Sequence, residues 1–178
     1  MSDFREKVNE IITQGREEAE RQKRAKAEEH KKRVAAERTR QDAIGRARGI
    51  ASQFAEQVIQ PRMKEIQRNI PGGTLHVETQ EDSPYAGCSL RFGESEHLTA
   101  RLHFDEKDLW LSVEAECVQV GQVYTEESEH FDGTQFDEAN AQTWMKSRIA
   151  DALKAFCTHA EVIRNPQPIV RYGQMEKK

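Results

Sequence analysis

The chain has 178 residues, enough for one packed core with material left over, and its charged fraction of 33% exceeds the quarter or so usual in globular proteins. Residues 1–68 hold 17 Lys+Arg against 12 Asp+Glu, whereas residues 69–178 hold 10 against 19, so a basic arm precedes an acidic body within an overall charge of −4. Three widely spaced cysteines without a CxxC argue against a disulfide framework or zinc knuckle and suit a reducing cytoplasm, the expected location, and no run of about 18 apolar residues predicts a membrane span.

Residues 1–43 read as a charged helical arm. Glu17 and Arg21, Glu20 and Arg24, Glu28 and Lys32, and Glu29 and Arg33 each place an acid four residues before a base, the favourable order on a helix, worth about 0.2–0.5 kcal/mol apiece. From Gly15 to Arg40 the only large apolar side chain is Val34, so the segment has almost nothing to bury. Its flanks differ. Phe4, Val8, Ile11 and Ile12 form a short apolar stripe at the N-terminal tip, and Ile44, Ala47, Ala51, Phe54 and Val58 alternate spacings of three and four, a seam of about two heptads. A helix from Asp3 to Gln60 would span about 87 Å, too long to lie wholly on a body of this size. Either its middle stands clear of that body or Gly15, or the pair Gly45 and Gly49, marks a break. Pro61 predicts a kink or a short second helix with Met63, Ile66 and Ile70 inward, closed by Pro71-Gly72-Gly73.

Residues 44–164 are expected to form one α+β domain. From Thr74 the period changes to two: Leu75 and Val77, then Ala86 to Phe92, Leu98 to Phe104, and Leu109 to Cys117 alternate apolar and polar side chains. This predicts an antiparallel β-meander of four to five strands with one apolar face. Closing the loop at 105–108 pairs Phe104 with Leu109, Leu102 with Leu111 and Ala100 with Val113. Closing the loop at 93–97 pairs Phe92 with Leu98 and Leu90 with Ala100. Residues 118–131, with Gly121 at a turn, add a further strand. A C-terminal helix with Met145, Ile149, Ala152, Leu153, Phe156 and Ala160 on one side, capped by Thr134, is expected to cover the apolar face, and residues 165–178 to form an extended tail. Helix, meander and helix is an order shared by too many proteins to imply a function.

The same register collects His97, Arg101, His103, Trp110, Glu114 and Glu116 on the polar face of the sheet, near His76, Glu78 and Arg91. Trp110 could anchor a partner there and Arg101 clamp a carboxylate or phosphate, although a solvent-facing sheet is the simpler reading. Metal binding at His97 and Glu116, or at His76 and His103, lacks a third ligand in the sequence. HExxH, GxSxG, a phosphate loop and a glycine-rich dinucleotide turn are absent, and the cysteines fall on inward positions as small apolar groups. No cofactor is therefore expected.

The arm carries 11 bases against 4 acids between Arg21 and Arg48, but on a helix these spread around the axis and no aromatic residue lies between Phe4 and Phe54, unlike most phosphate-tracking segments. The sequence thus points to a non-enzymatic protein–protein interaction module, self-associating or part of an assembly through its N-terminal helix. Its candidate contact residues are Phe4, Val8, Ile11 and Ile12, the seam residues Ile44, Ala51, Phe54 and Val58, and Arg101, His103 and Trp110. A nucleic-acid-associated protein using the basic arm, and a small enzyme with a polar site on the outer sheet face, are the alternatives.

Overall fold

The structure is a computed structural model that describes residues 2–78, 83–117, 120–132 and 135–164. The elements in chain order are helix α1 (Ser2–Phe54), a π-helical turn (Ala55–Ile59), α2 (Gln60–Asn69), strands β1 (Thr74–Glu78), β2 (Tyr85–Phe92), β3 (Glu96–Phe104), β4 (Asp108–Cys117), β5 (Gly121–Glu127) and β6 (Phe131–Asp132), then α3 (Glu138–His159) and α4 (Glu161–Arg164). The architecture is α+β, as expected, with a long N-terminal helix, an antiparallel sheet and a C-terminal helix. The chain divides into two compact units, Met1–Asp42 and Ala43–Lys178.

The described residues of the first unit are all helical, and every side chain described among them is exposed. With no core to hold it, its order comes from helix propensity and from local ion pairs. Glu17 and Arg21 lie 4.0 Å apart, Glu20 and Arg24 3.5 Å, Glu28 and Lys32 3.8 Å, and Glu37 and Arg40 pair across one turn at 4.0 Å. All four pairs are well solvated, so each contributes a few tenths of a kcal/mol. The helix runs unbroken through Gly15, Gly45 and Gly49.

In the second unit, the seam is part of the domain's own core. Ala47, Ala51, Phe54, Ala55, Val58 and Ile59 are buried, with Ile44 packed against them. The π-helical turn stands just ahead of Pro61, where the Gln60 amide donates to the carbonyl oxygen of Ala55, five residues back. Pro61 has no amide hydrogen to offer and its ring crowds the preceding turn, so a widened turn lets the chain continue as α2 with Pro61 in its first turn. Met63, Ile66 and Ile70 then point inward.

The sheet has strand order β1-β2-β3-β4-β5, all neighbours antiparallel, with β6 paired to β4. Between β3 and β4 the register is the expected one: Phe104 meets Leu109, Leu102 meets Leu111 and Ala100 meets Val113. Between β2 and β3 it differs from expectation by two residues. Leu90 meets Leu98, Cys88 meets Ala100, and Phe92 meets Glu96. The connection is a turn through Gly93, whose φ of 66° is readily adopted only by glycine, and not the five-residue loop the alternation suggested. A shift of two leaves every side chain on its face, so the apolar surface is unchanged.

That surface is buried along its whole length, from Ala86 through Phe92, Leu98 through Phe104 and Leu109 through Cys117 at alternate positions. Two helical layers share its cover: α3 packs on β3, β4 and β5, while the π-helical turn and α2 pack on β1, β2 and β3. Helix α3 begins at Glu138, with Asp137 as its cap accepting the Asn140 amide at 3.1 Å. Asp137 does the capping expected of Thr134, which itself lies outside the described residues. Ala141, Met145, Ile149, Ala152 and Phe156 are buried and Leu153 is partly so. Cys88 and Cys117 are buried as expected, but Cys157 is exposed, because it lies one residue round the helix from Phe156 and so off its inward face. The tail at 165–178 also lies outside the described residues, and among the described residues no helix is long and apolar enough to cross a membrane.

Candidate functional site

Two surfaces carry the residues singled out by the sequence, one on each unit. On the first, Phe4, Val8, Ile11 and Ile12 fall within about 100° of one another around α1. They are 77%, 37%, 67% and 47% exposed, respectively. Large apolar groups at neighbouring positions on one helix side, all open to water, form a patch rather than a scatter. Seam residues Ala51, Phe54 and Val58, by contrast, are at most 3% exposed and have no surface left for a second chain.

On the second unit, the open face of the sheet is a grid of four rows set by the strand register. The first row is aromatic. Tyr85 and His103 are 5.4 Å apart and tilted, His103 and Trp110 stack at 5.0 Å and 8°, and Trp110 and His130 stack at 4.9 Å and 5°. Trp110 is therefore stacked with two imidazoles, and much of the ring surface expected to anchor a partner meets its own chain. His103 Nε2 shares a hydrogen bond with Ser112 Oγ at 2.7 Å. Burial, with the Arg101 charge adding to it, holds the His103 imidazole below its ordinary pKa.

In the second row Arg101 reaches across β2 to Glu78. Its Nε and Nη2 donate to the two carboxylate oxygens at 2.6 and 3.0 Å. The residue of β2 lying between them is Gly87, paired to Glu78 on one side and Arg101 on the other. Only a residue without a side chain lets the guanidinium pass over the strand. Arg101 also lies 4.6 Å from the Tyr85 ring centre. Burial is the largest single influence and works against its charge, but the Glu78 hydrogen bond and the negative charge of Glu78 and its neighbours, Glu114 included, together outweigh it and raise the pKa. The carboxylate that Arg101 clamps thus belongs to its own chain.

The third row places Ser89 beside Thr99, whose hydroxyl donates to Ser89 Oγ at 3.2 Å, and then Glu114 on β4. The fourth runs from Arg91 through His97 to Glu116, with His97 Nε2 3.7 Å from a Glu116 oxygen. His97, Glu114 and Glu116 each present one ligand-type atom, and these lie within 4.8 Å of one another. The sequence suggested only the pair of His97 and Glu116. The third member was legible in principle, since Glu114 is two residues from Glu116 and so on the same face. His76 belongs to the third row and His103 to the first, so those two do not make a pair.

His97 also borders a polar cavity of about 320 Å³ with Arg91, Glu94, Thr99 and Arg101. Buried Glu96, at the start of β3, accepts the backbone amide of Glu161 at the head of α4, a contact spanning 65 residues that no local pattern announces. The Cys88 thiol is pushed up to about 11 by burial, with Glu78 adding to it, which keeps it protonated at neutral pH. Compared with known protein families, curated proteins and solved structures, the chain finds no match.

Proposed function

We propose that this chain is a non-enzymatic interaction module that self-associates through the apolar side of its N-terminal helix, with the Ala43–Lys178 unit as the body it brings together. The observation that carries the reading is the exposure of Phe4, Val8, Ile11 and Ile12 on one side of a helical unit that has no core of its own. Burying what they expose would stabilise a dimer by about 3–6 kcal/mol per chain at about 1.5–3 kcal/mol for each full side chain. Two copies together give roughly twice that, the same order as the roughly 4–15 kcal/mol lost in association, so the predicted complex is weak and concentration-dependent.

The reading is supported by how the polar groups of the second unit are spent. Arg101 is held by Glu78, Trp110 is flanked by histidines, and the Cys88 thiol is far from activation. In the arm, several of the bases that nucleic acid would use already face glutamates one turn away. Light scattering of the full chain against one starting at Gln41 tests the proposal. A larger particle for the full chain alone is the expected result; equal monomers would contradict it. Salt-dependent binding of duplex DNA that weakens on charge reversal of Arg24, Lys31 and Arg38 would instead favour the nucleic-acid reading.

A further inference from the structure

We propose that the open face of the sheet holds a divalent transition-metal ion, bound by His97 of β3 and by Glu114 and Glu116 of β4. The proposal stands independently of self-association. Glu114 and Glu116 are two residues apart on one strand, which puts both carboxylates on the same face, and His97 is paired directly opposite Glu116. β3 and β4 are interior strands of the sheet, so the backbone under all three ligands is fixed from both sides. Beside Glu116 the pairing with β5 slips between Ala115 and Glu116, a local irregularity of the kind that re-aims side chains next to sites.

The charges within the set favour a cation, against the opposing charge of Arg91, which is paired to His97 from β2 and is exposed to solvent. Two neighbouring carboxylates repel each other, and their partners on β5 are the neutral Thr125 and Gln122. Arg101, whose charge reaches Glu114, is itself bound to Glu78. A neutral imidazole with two carboxylates carries a charge of −2, which a divalent ion cancels. The mixed nitrogen and oxygen set suits zinc or cobalt better than calcium or magnesium, which prefer oxygen alone.

The distances are compatible. With bonds of about 2.1 Å, ligand atoms around tetrahedral zinc stand about 3.4 Å apart. His97 and Glu116 are already 3.7 Å apart, and the whole set lies within 4.8 Å. Three protein ligands leave a fourth position for water or a small anion, and the polar cavity beside His97 gives room for it.

The test is titration of the chelator-treated full chain with zinc chloride by calorimetry near neutral pH, with cobalt(II) visible absorption as a second readout of coordination. One ion per chain is expected. Affinity should fall at least 10-fold in His97→Ala, Glu114→Gln and Glu116→Gln alike, since loss of even a group that supports a ligand costs that much. His76→Ala, two rows of side chains from His103 and outside the set, should bind as the wild type does. The two Glu→Gln variants conserve shape at half-exposed positions, and circular dichroism matching the wild type ties their loss to the site. Absence of zinc heat and of cobalt bands in the wild type would overturn the proposal, as would full affinity in Glu114→Gln.

Discussion

Replacing Gly87 by alanine would drive a Cβ into the carbonyl oxygen of Ala100 and to 2.9 Å from the Cα of Arg101. Both are backbone atoms of β3, so no change of rotamer relieves the clash and the strands must separate locally. Overpacking of this kind costs about 1–3 kcal/mol. The same methyl group stands under Arg101 where it crosses to Glu78, and its Cγ would be only 3.0 Å away. That ion pair is largely shielded, with side chains 23% and 16% exposed, so losing its charge-assisted hydrogen bonds adds about 1.5–3 kcal/mol. The two together amount to ~2.5–6 kcal/mol. For a unit of about 120 residues each kcal/mol moves the melting temperature by about 4 °C, so Gly87→Ala should melt ~10–24 °C below the wild type by calorimetry or circular dichroism. In an Arg101→Met background, where the ion pair is already gone, the same change should cost only the overpacking part. A Gly87→Ala melting temperature within about 3 °C of the wild type would refute the reasoning.

Two further predictions concern the core and the aromatic row. Phe54 is 2% exposed and meets Phe136 edge-on at 5.7 Å, so Phe54→Ala should destabilise the domain by about 3–5 kcal/mol in a denaturant titration; a loss below ~1 kcal/mol would show that the seam is not part of this core. His103 has its folded-state pKa held below the ordinary value of about 6.5, so its contribution to stability is full above that pH and declines as the pH falls towards the folded pKa. Between about pH 7 and 5 the wild type should therefore lose more melting temperature than His103→Gln does, and parallel curves for the two would contradict this.

The outline of the fold was legible because hydrophobic periodicity changes sharply from helix to strand at Thr74 and back again before α3. Alternation also fixed which face each strand residue occupies, and through the loop at 105–108 it fixed the β3–β4 pairing. It could not fix β2–β3, because a period of two is blind to a shift of two and the deciding quantity was the φ of Gly93. The seam from Ile44 to Val58 was visible as apolar, but spacing alone does not tell a helix's own domain from a second copy. On the polar face, the rows followed from register, whereas the bridge from Arg101 over Gly87 to Glu78 required knowing that β1 lies beyond β2. The placement of Glu96 under the Glu161 amide depends on where α3 ends, which no pattern around Glu96 encodes.

Sedimentation equilibrium of the full chain, alone and with Ile11 replaced by glutamate, tests self-association through the arm most directly. Ile11 is 67% exposed, so removing it from a symmetric interface forfeits about 1–2 kcal/mol in each copy, and ~2–4 kcal/mol in the dimer. That corresponds to a roughly 30- to 700-fold weaker dissociation constant. The account predicts a wild-type mass that climbs above 20.5 kDa with concentration and an Ile11→Glu mass that stays near it. A wild type that remains at 20.5 kDa at every concentration, or a variant that associates equally well, would contradict it.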